Sequence, residues 1–432
     1  MNVRRRDFLS ALTVGKCLLS TGGRQGLDDE VDDLRGRIGA EGEALDWNAF
    51  RQEFDLDPET VHMNTGSVGC TPRIVLEQIH RAASTMERNP FHHLWENGLA
   101  GDLKLVCQQV ASQFGAPDDT IALTENTTSA LHAIGAGIRW KAGDELVLTN
   151  HEHLSCMAVW KYLQKRFDLK LRYVEIPLPE YSEAEFLDRL QAVLTDRTVA
   201  CCLSHVDSMC GIELPIAAVS RITRARNILL ICDAAQSLGM LPVNVSELGV
   251  DALAASGHKW LMGPKGTGLM HVARHAQDRI RPQIADWSFA ALTPSTGTRN
   301  IAHLLGWAIV VELQRTLKPE RIAERIRTLS TELNNQMEQR PGLVPLIASG
   351  RSAGSGMFSF RLESGANSLD IARRLSAEFG VIVKPLPTTY ELAESADYQP
   401  IDYHAIRFST HIYNNEQEFG KVVEALRVVL KS

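Results

Sequence analysis

The chain has no apolar run approaching the ~20 residues that cross a bilayer as a helix, so its pattern offers no membrane span. It has no Cys-x-x-Cys pair, and its eight cysteines all lie at or before Cys232. Several sit in apolar runs such as VACCL, where a thiol behaves as a small hydrophobe, so no disulfide framework is expected. No His-Glu-x-x-His motif occurs. Neither His92 with His93 nor His151 with His153 has a cysteine pair beside it, and no metal site is expected. Positive charge is also in deficit. With 45 Lys and Arg against 52 Asp and Glu, a formal net charge of -7 gives no electrostatic reason to expect a nucleic-acid partner. GAGIRW lacks the third glycine of a dinucleotide fingerprint, and GPKGTG is not a P-loop.

What remains is an ordinary globular composition, 44% hydrophobic and 22% charged, over 432 residues, enough for two or three domains with large cores. Short apolar runs alternate with amphipathic ones. TIALT precedes the helical TSALHAIGAGI, and ELVLT precedes SCMAVWKYLQKRF. LRYVEIP precedes AEFLDRLQAVL, VACCLSHV precedes a helix around Ile216 to Arg226, and ILLIC runs into Asp233. Continuously apolar strands between helices predict an α/β fold with a mostly parallel sheet covered on both faces. Ligands of such sheets bind outside the carboxyl ends of the strands. Asp233, His205 and Thr127 each fall just after a strand. A long helix, IAHLLGWAIVVELQRTL, then leads into a smaller C-terminal α+β region.

The most informative run is DAAQSLGMLPVNVSELGVDALAASGHKWLMGPKGTG, Asp233 to Gly268. It places a carboxylate at the end of an apolar strand and Lys259 twenty-six positions later, flanked by Ser256, His258 and a glycine-rich turn. Pyridoxal 5'-phosphate (PLP) needs this set. Its aldehyde needs an amine to form a Schiff base, and its pyridine nitrogen needs an anion to stay protonated. Its phosphate needs hydroxyls and free N–H groups. Thr124-Glu125-Asn126-Thr127-Thr128-Ser129, following a strand and opening a helix, supplies them, although Asn and Thr are also ordinary N-caps.

On these residues the chain resembles the class V aminotransferases, fold type I PLP-dependent enzymes, over roughly residues 45–425. The resemblance implies a large PLP-binding domain at 71–300 and a small C-terminal domain at 301–432, preceded by an N-terminal segment at 41–70. It implies that Thr127, Thr128, Ser256 and His258 hold the phosphate. Thr298, in TGTRN, would reach the phosphate of a neighbouring subunit, which implies a homodimer with shared sites. His153, in HEHLS, would stack over the ring. Asp233 would pair with the pyridinium, Gln236 would bond the ring hydroxyl, and Ser208 stands at a ring-side position that is often Asn in the desulfurase branch. Lys259 would form the Schiff base and move protons. Lys259, Asp233 and His153 thus carry the expected chemistry. Arg407, in IRFSTHIYNN, would grip a substrate carboxylate through its two-donor fork, with Asn64 and Thr65 lining the substrate side.

Within the family the chain looks closest to the isopenicillin N epimerase-like branch, which includes exported enzymes acting on peptide natural products. The implied substrate is an amino acid or peptide-derived molecule attacked at its α-carbon. Epimerisation, transamination and lysis all begin by removing the α-proton, so an exported transaminase or lyase of siderophore maturation stays open. A cysteine desulfurase is not expected, because the loop from Lys384 to Pro400 lacks a cysteine to accept sulfur. A PLP-binding regulator would carry a DNA-binding module ahead of the scaffold, and residues 1–45 are too short for one. Residues 1–40 instead read as an export signal and linker. Arg5 and Arg6 followed by Phe8-Leu9 resemble a twin-arginine signal, although Lys16 interrupts the apolar stretch and no small-x-small cleavage site stands near Thr21 to Gln25. A periplasmic location follows if the signal works. A cytoplasmic one follows if it is only a basic N-terminus.

Overall fold

The computed structural model describes residues 30–39, 45–96, 99–281, 297–348, 354–363, 365–386 and 404–431, without the side chains at 95–96 and 99–102. The expected export signal and most of the late loop after Lys384 lie outside the described residues.

The first strand, β1 (Val61–His62), pairs with a strand far along the chain, as set out below. A central sheet follows. It comprises β2 (Ile121–Thr124), β3 (Glu145–Thr149), β4 (Lys170–Val174), β5 (Thr198–Ser204), β6 (Leu229–Asp233), β7 (Ala252–Ser256) and β8 (Gly268–Val272). The order is β2-β8-β7-β6-β5-β3-β4, and β8 alone runs against its neighbours. The expected mostly parallel sheet is thus present.

Helices α1 (Arg73–Arg88), α2 (Leu99–Gln113), α3 (Thr127–Ala136), α4 (Leu154–Phe167), α5 (Glu183–Val193), α6 (Ile216–Ala225) and α7 (Ile301–Leu317) cover it. The strands read as unbroken apolar runs because both faces are buried. Leu230 and Cys232 of β6 point into the core shared with α1, α2, α6 and α7, whereas Leu229 and Ile231 point into the core under α3 and α4. Helix α7, which begins at the expected domain boundary, packs against α1 and α2 and contributes Ile301, Leu304 and Trp307 to the larger core. Cys107, Cys156, Cys201, Cys202, Cys210 and Cys232 are buried free thiols within these layers.

The C-terminal part is α+β. Helices α8 (Pro319–Glu338), α9 (Ser368–Phe379) and α10 (Glu416–Lys431) pack on an antiparallel sheet. Its strands are β9 (Leu343–Pro345), β10 (Met357–Leu362), β12 (Lys384–Leu386) and β13 (Ala405–Ser409), in the order β12-β13-β10-β9. β1 joins this part by pairing in parallel with β11 (Val381–Ile382). The chain then turns at Gly69, whose N–H donates to the His258 carbonyl at 2.8 Å, and enters the large sheet's helices. The segment 61–69 is therefore the seam between the two parts.

Candidate active site

The carboxyl ends of three adjacent strands set the floor of the site. Ser204 of β5 lies in register with Asp233 of β6, and Ser256 closes β7 beside them. Above this rim is a cavity of about 370 Å³. Thr127, Thr128, His153, Ser208, Asp233, Gln236, Ser256, His258 and Lys259 all line it. Residues as far apart as Thr127 and Lys259 therefore converge, as the rule for ligand sites in open α/β sheets requires.

One end of the cavity is built to receive an anion. Asn126 caps α3 by accepting from the Ser129 N–H at 2.9 Å, and the Ser129 hydroxyl accepts the Asn126 N–H in return. This box orients the first helical turn. Thr127 Oγ1 and Ser256 Oγ lie 2.7 Å apart, and Ser256 Oγ also accepts the Thr127 N–H at 3.0 Å. Thr128 and His258 complete this end. The buried Nδ1 of His258 has no partner among the described residues, as an atom awaiting a ligand would not.

The middle holds the charges. Asp233 is buried, and Oδ1 accepts the Ala235 N–H at 2.9 Å. Burial raises its carboxyl above the usual range, while that N–H and the charge of Lys259 work the other way. Lys259 is buried, which pulls its ammonium down to about 8. Asp233 opposes the fall, and Arg407 and Lys384 add to it. His153 is the N-cap of α4, its Nδ1 accepting the Ser155 N–H at 3.2 Å. Burial, then the charges of Lys259, Arg407 and Lys384, push its imidazole down to about 3. At neutral pH it is an uncharged ring, suited to stacking on a flat heterocycle and not to carrying a proton.

Gln236 is held on both sides, donating to the Gly66 carbonyl at 2.9 Å and accepting from Trp260 Nε1 at 2.8 Å. One amide hydrogen is left for the cavity. Ser208 Oγ is buried without a partner among the described residues. The set fits PLP. It supplies the buried amine of Lys259, a carboxylate, a neutral ring, hydroxyls at a helix N-terminus, and two buried polar atoms on the lining that lack partners among the described residues.

The expected substrate side is arranged differently in detail. The Arg407 guanidinium is buried and donates to the Ser208 carbonyl at 2.7 Å, to Asn64 Oδ1 at 3.1 Å and to Ser67 Oγ at 3.3 Å. Asn64 therefore acts on the site through Arg407. Thr65 is fully buried, and its hydroxyl is paired with the Tyr413 hydroxyl, which turns it away from the cavity into the supporting wall. Thr298 is exposed. Its neighbour Arg299 ties the segment to its own chain through the Leu123 carbonyl at 2.9 Å and Glu125 at 3.2 Å.

Sequence reasoning passed over three residues that matter here. Lys384 of β12 lines the cavity. So does Ser204, whose hydroxyl donates at 2.6 Å to Glu152. Glu152 is buried, also accepts from Thr149 Oγ1 at 2.8 Å, and has its carboxyl pushed up to about 7, mainly by burial. It sits inside HEHLS, directly after an apolar strand, which is the signal that a buried carboxyl follows. A second cluster, His151, Asp207 and Cys210, has metal-ligand geometry. The Asp207 carboxylate there already accepts from His151 and from the N–H groups of Met209, Cys210 and Ile212, so its lone pairs lock a turn.

Residues 71–422 match the family described as aminotransferase class-V. Isopenicillin N epimerase of Streptomyces clavuligerus is 27% identical over 401 residues, covering 88% of this chain and 98% of that protein. A probable cysteine desulfurase of Methanothermobacter thermautotrophicus is 24% identical over 404 residues, covering 88% and 97%. A solved mutant of C-DES with glycine covalently linked to the PLP cofactor superimposes with a TM-score of 0.76 at 24% identity, over 88% of this chain and 98% of that one. These relatives correct one expectation. The missing late cysteine had set the chain apart from the desulfurases, yet desulfurases are among the proteins it resembles along most of its length. A cysteine on one loop concerns where sulfur is delivered. The similarity runs along most of the chain whatever that loop carries, so the missing cysteine does not separate the chain from them. The cofactor is PLP, and the chain belongs to the aminotransferase class-V family.

Proposed function

We propose that this chain acts at the α-carbon of an amino acid or peptide-derived substrate, with Lys259 as the residue that holds PLP and moves the proton. The observation that carries this reading is Lys259 itself, a buried amine in a cavity that Asp233 and His153 also line. With its ammonium near 8 rather than 10.5, about a tenth of it is free amine at pH 7, roughly three hundred times more than an exposed lysine provides. That fraction is what a nucleophile and a proton carrier both need.

When bound, PLP supplies an electron sink for the charge left at the α-carbon. The chain's own residues do the rest. Asp233 holds a positive partner at the floor, and its burial strengthens that pairing. Neutral His153 covers one face of the cavity and excludes water. Thr127, Thr128, Ser256 and His258 hold the phosphate with the N–H groups that open α3. Gln236 and Ser208 fix the orientation of the ring edge. Arg407, steadied by Asn64 and Ser67, takes the substrate carboxylate. Lys259 then moves the α-proton on its own face of the substrate, and inversion further requires a proton delivered to the opposite face. Full-length similarity to an isopenicillin N epimerase supports inversion at the α-carbon as the outcome. The same reading includes a homodimer in which Thr298 serves the partner's site, and export directed by Arg5 and Arg6.

The test is the purified protein with a panel of amino acids and acidic peptides, followed by the cofactor's visible absorbance and by α-proton exchange in deuterated water. Exchange that requires Lys259 is expected. A Lys259→Ala variant that still fixes PLP covalently on borohydride reduction, or that still exchanges the α-proton at the wild-type rate, would refute the assignment.

A further inference from the structure

Glu152 and Ser204 have no role in the chemistry above, yet they adjoin its carboxylate. Ser204 and Asp233 are paired in register on the parallel strands β5 and β6, and such strands run about 4.8 Å apart. Both residues line the cavity, so both side chains point the same way. Asp233 is short of donors. Its Oδ1 accepts the Ala235 N–H, and its Oδ2 accepts nothing among the described residues. A buried carboxylate stays ionised when several hydrogen bonds meet it. The cofactor's ring N–H is one such donor. The hydroxyl standing on the adjoining strand is that of Ser204.

That hydroxyl has a single hydrogen, and Glu152 decides where it points. Ser204 Oγ donates it to Glu152 Oε2 at 2.6 Å. Glu152 Oε1 is already occupied, accepting from Thr149 Oγ1 at 2.8 Å and from the N–H groups of Thr149 and Ser204 at 3.3 Å each. A proton arriving at Glu152 therefore goes to Oε2. The carboxyl then donates to Ser204 Oγ, and the Ser204 hydrogen swings to the cavity side, where Asp233 lies. Only hydrogens have to move. The other titratable groups that feel Glu152 are Asp233 and Cys232 of β6, Cys202 of β5 and Cys156 of α4. The contact with Cys202 and burial hold the Cys156 thiol up, and burial holds up those of Cys202 and Cys232, so none of the three competes for a proton near neutrality. The direct repulsion by Asp233 acts on Glu152 more weakly than the hydroxyl bonds do.

We propose that Glu152 and Ser204 are positioning residues for the cofactor's ring nitrogen: protonated Glu152 turns the Ser204 hydroxyl onto Asp233, which holds the Asp233 carboxylate ionised against the pyridinium. This rests on the reading of Asp233 as the partner of the ring nitrogen. Cofactor binding is then coupled to a proton on a residue that touches neither cofactor nor substrate. Loss of that proton takes the Ser204 hydrogen away from Asp233 and leaves a second buried negative charge behind it.

The experiment measures PLP affinity at pH 6 and pH 8.5, from the absorbance of the lysine-bound cofactor and, independently, by calorimetry, with no substrate present. Without cofactor the Glu152 carboxyl titrates at about 7, so it is mostly protonated at the first pH and mostly ionised at the second. Glu152→Gln copies the protonated acid at both. Wild-type affinity should therefore fall relative to Glu152→Gln, by at least about fivefold, between pH 6 and pH 8.5. Calorimetry in two buffers should show the wild type taking up about one more proton than the variant at pH 8.5. In a Ser204→Ala background the same Glu152→Gln comparison should move by about twofold or less. An affinity ratio that does not change with pH, or equal proton uptake, would overturn the proposal. So would an undiminished change in the Ser204→Ala background, which would leave only direct repulsion between the two carboxylates. Unchanged PLP affinity in Asp233→Asn would take Asp233 off the ring nitrogen and overturn it as well. Should Glu152→Gln fail to fold, Ser204→Ala set against the wild type must show the smaller fall in affinity, and an equal fall overturns the proposal. Because no substrate is present, a failure of α-proton exchange would sink the α-carbon reading and leave this result standing.

Discussion

Glu152→Gln is the substitution whose consequence the structure specifies most fully. The carboxyl is buried beneath the cavity, receives hydrogen bonds from Ser204 and Thr149, and has no cation bonded to it among the described residues. Burial, with the negative charge of Asp233 adding to it, raises its titration from an ordinary 4.5 to about 7, against the hydrogen bonds that pull it down. A carboxyl that holds its proton more tightly when folded stabilises the fold below about pH 4.5, and that contribution is lost as pH rises toward 7. At 1.36 kcal/mol per pH unit, the whole interval is worth about 3 kcal/mol.

Glutamine copies the protonated acid. Its oxygen can accept from Thr149, and its amide can donate to Ser204 Oγ, which then turns its own hydrogen to the cavity. The variant should therefore lack this pH dependence while Asp233 still titrates in both proteins. Urea denaturation of cofactor-stripped wild type and variant, at pH 5 and pH 8, checks it. The stability difference should move by ~2–3 kcal/mol in the variant's favour between the two. Parallel pH profiles for the two proteins would show that Glu152 is ionised throughout and refute the reasoning.

Two further outcomes follow from other parts of the chain. A Cβ at Gly66 would lie 2.8 Å from Arg407 Nη2 and 3.0 Å from Met357 Sδ, so Gly66→Ala should cost ~1–3 kcal/mol, divided between fold stability and carboxylate affinity. Wild-type values for both, by thermal denaturation and pentanoate titration, would show that the guanidinium has room to move. Replacing Arg5 and Arg6 with lysines should leave an unprocessed precursor in the cytoplasm. Identical fractionation of the variant and the wild type would remove the export signal from the argument.

The central sheet was legible where burial on both faces writes itself as an apolar run, as in ELVLT, VACCLS and ILLIC. Two of its strands were not. β7 is ALAAS, built of small residues because α3 packs directly over it, and small residues carry little hydrophobic contrast. β8 is GLMHV, the one antiparallel strand, entered from the glycine turn after Lys259. The cavity lining was legible wherever a residue advertises its chemistry beside a strand end, as Asp233, Lys259 and His153 do. Positions fixed by pairing across the sheets were not. Nothing local marks Lys384 as the neighbour of Arg407, or Ser204 as the neighbour of Asp233, because both facts are statements of register. Thr65 shows the converse limit. Its position in a loop at the site was readable, but which way its hydroxyl turns depends on Tyr413, nearly 350 residues later.

That dependence on distant register also explains why the short segment 61–69 has to be where it is. It is paired through β1 to β11 of the C-terminal part, and through Asn64 to Ser409 beside Arg407. Its other end is bonded to the large domain, by the Gly69 N–H to His258 and by the Gly66 carbonyl to Gln236. The separation of Arg407 from Lys259 is therefore held by this nine-residue strap together with the Arg407 bond to the Ser208 carbonyl. Gly69 permits this closeness, since a Cβ there would come within 2.4 Å of the Lys259 carbonyl. The strap is bonded to backbone at one end and to the Arg407 guanidinium, through Asn64 and Ser67, at the other.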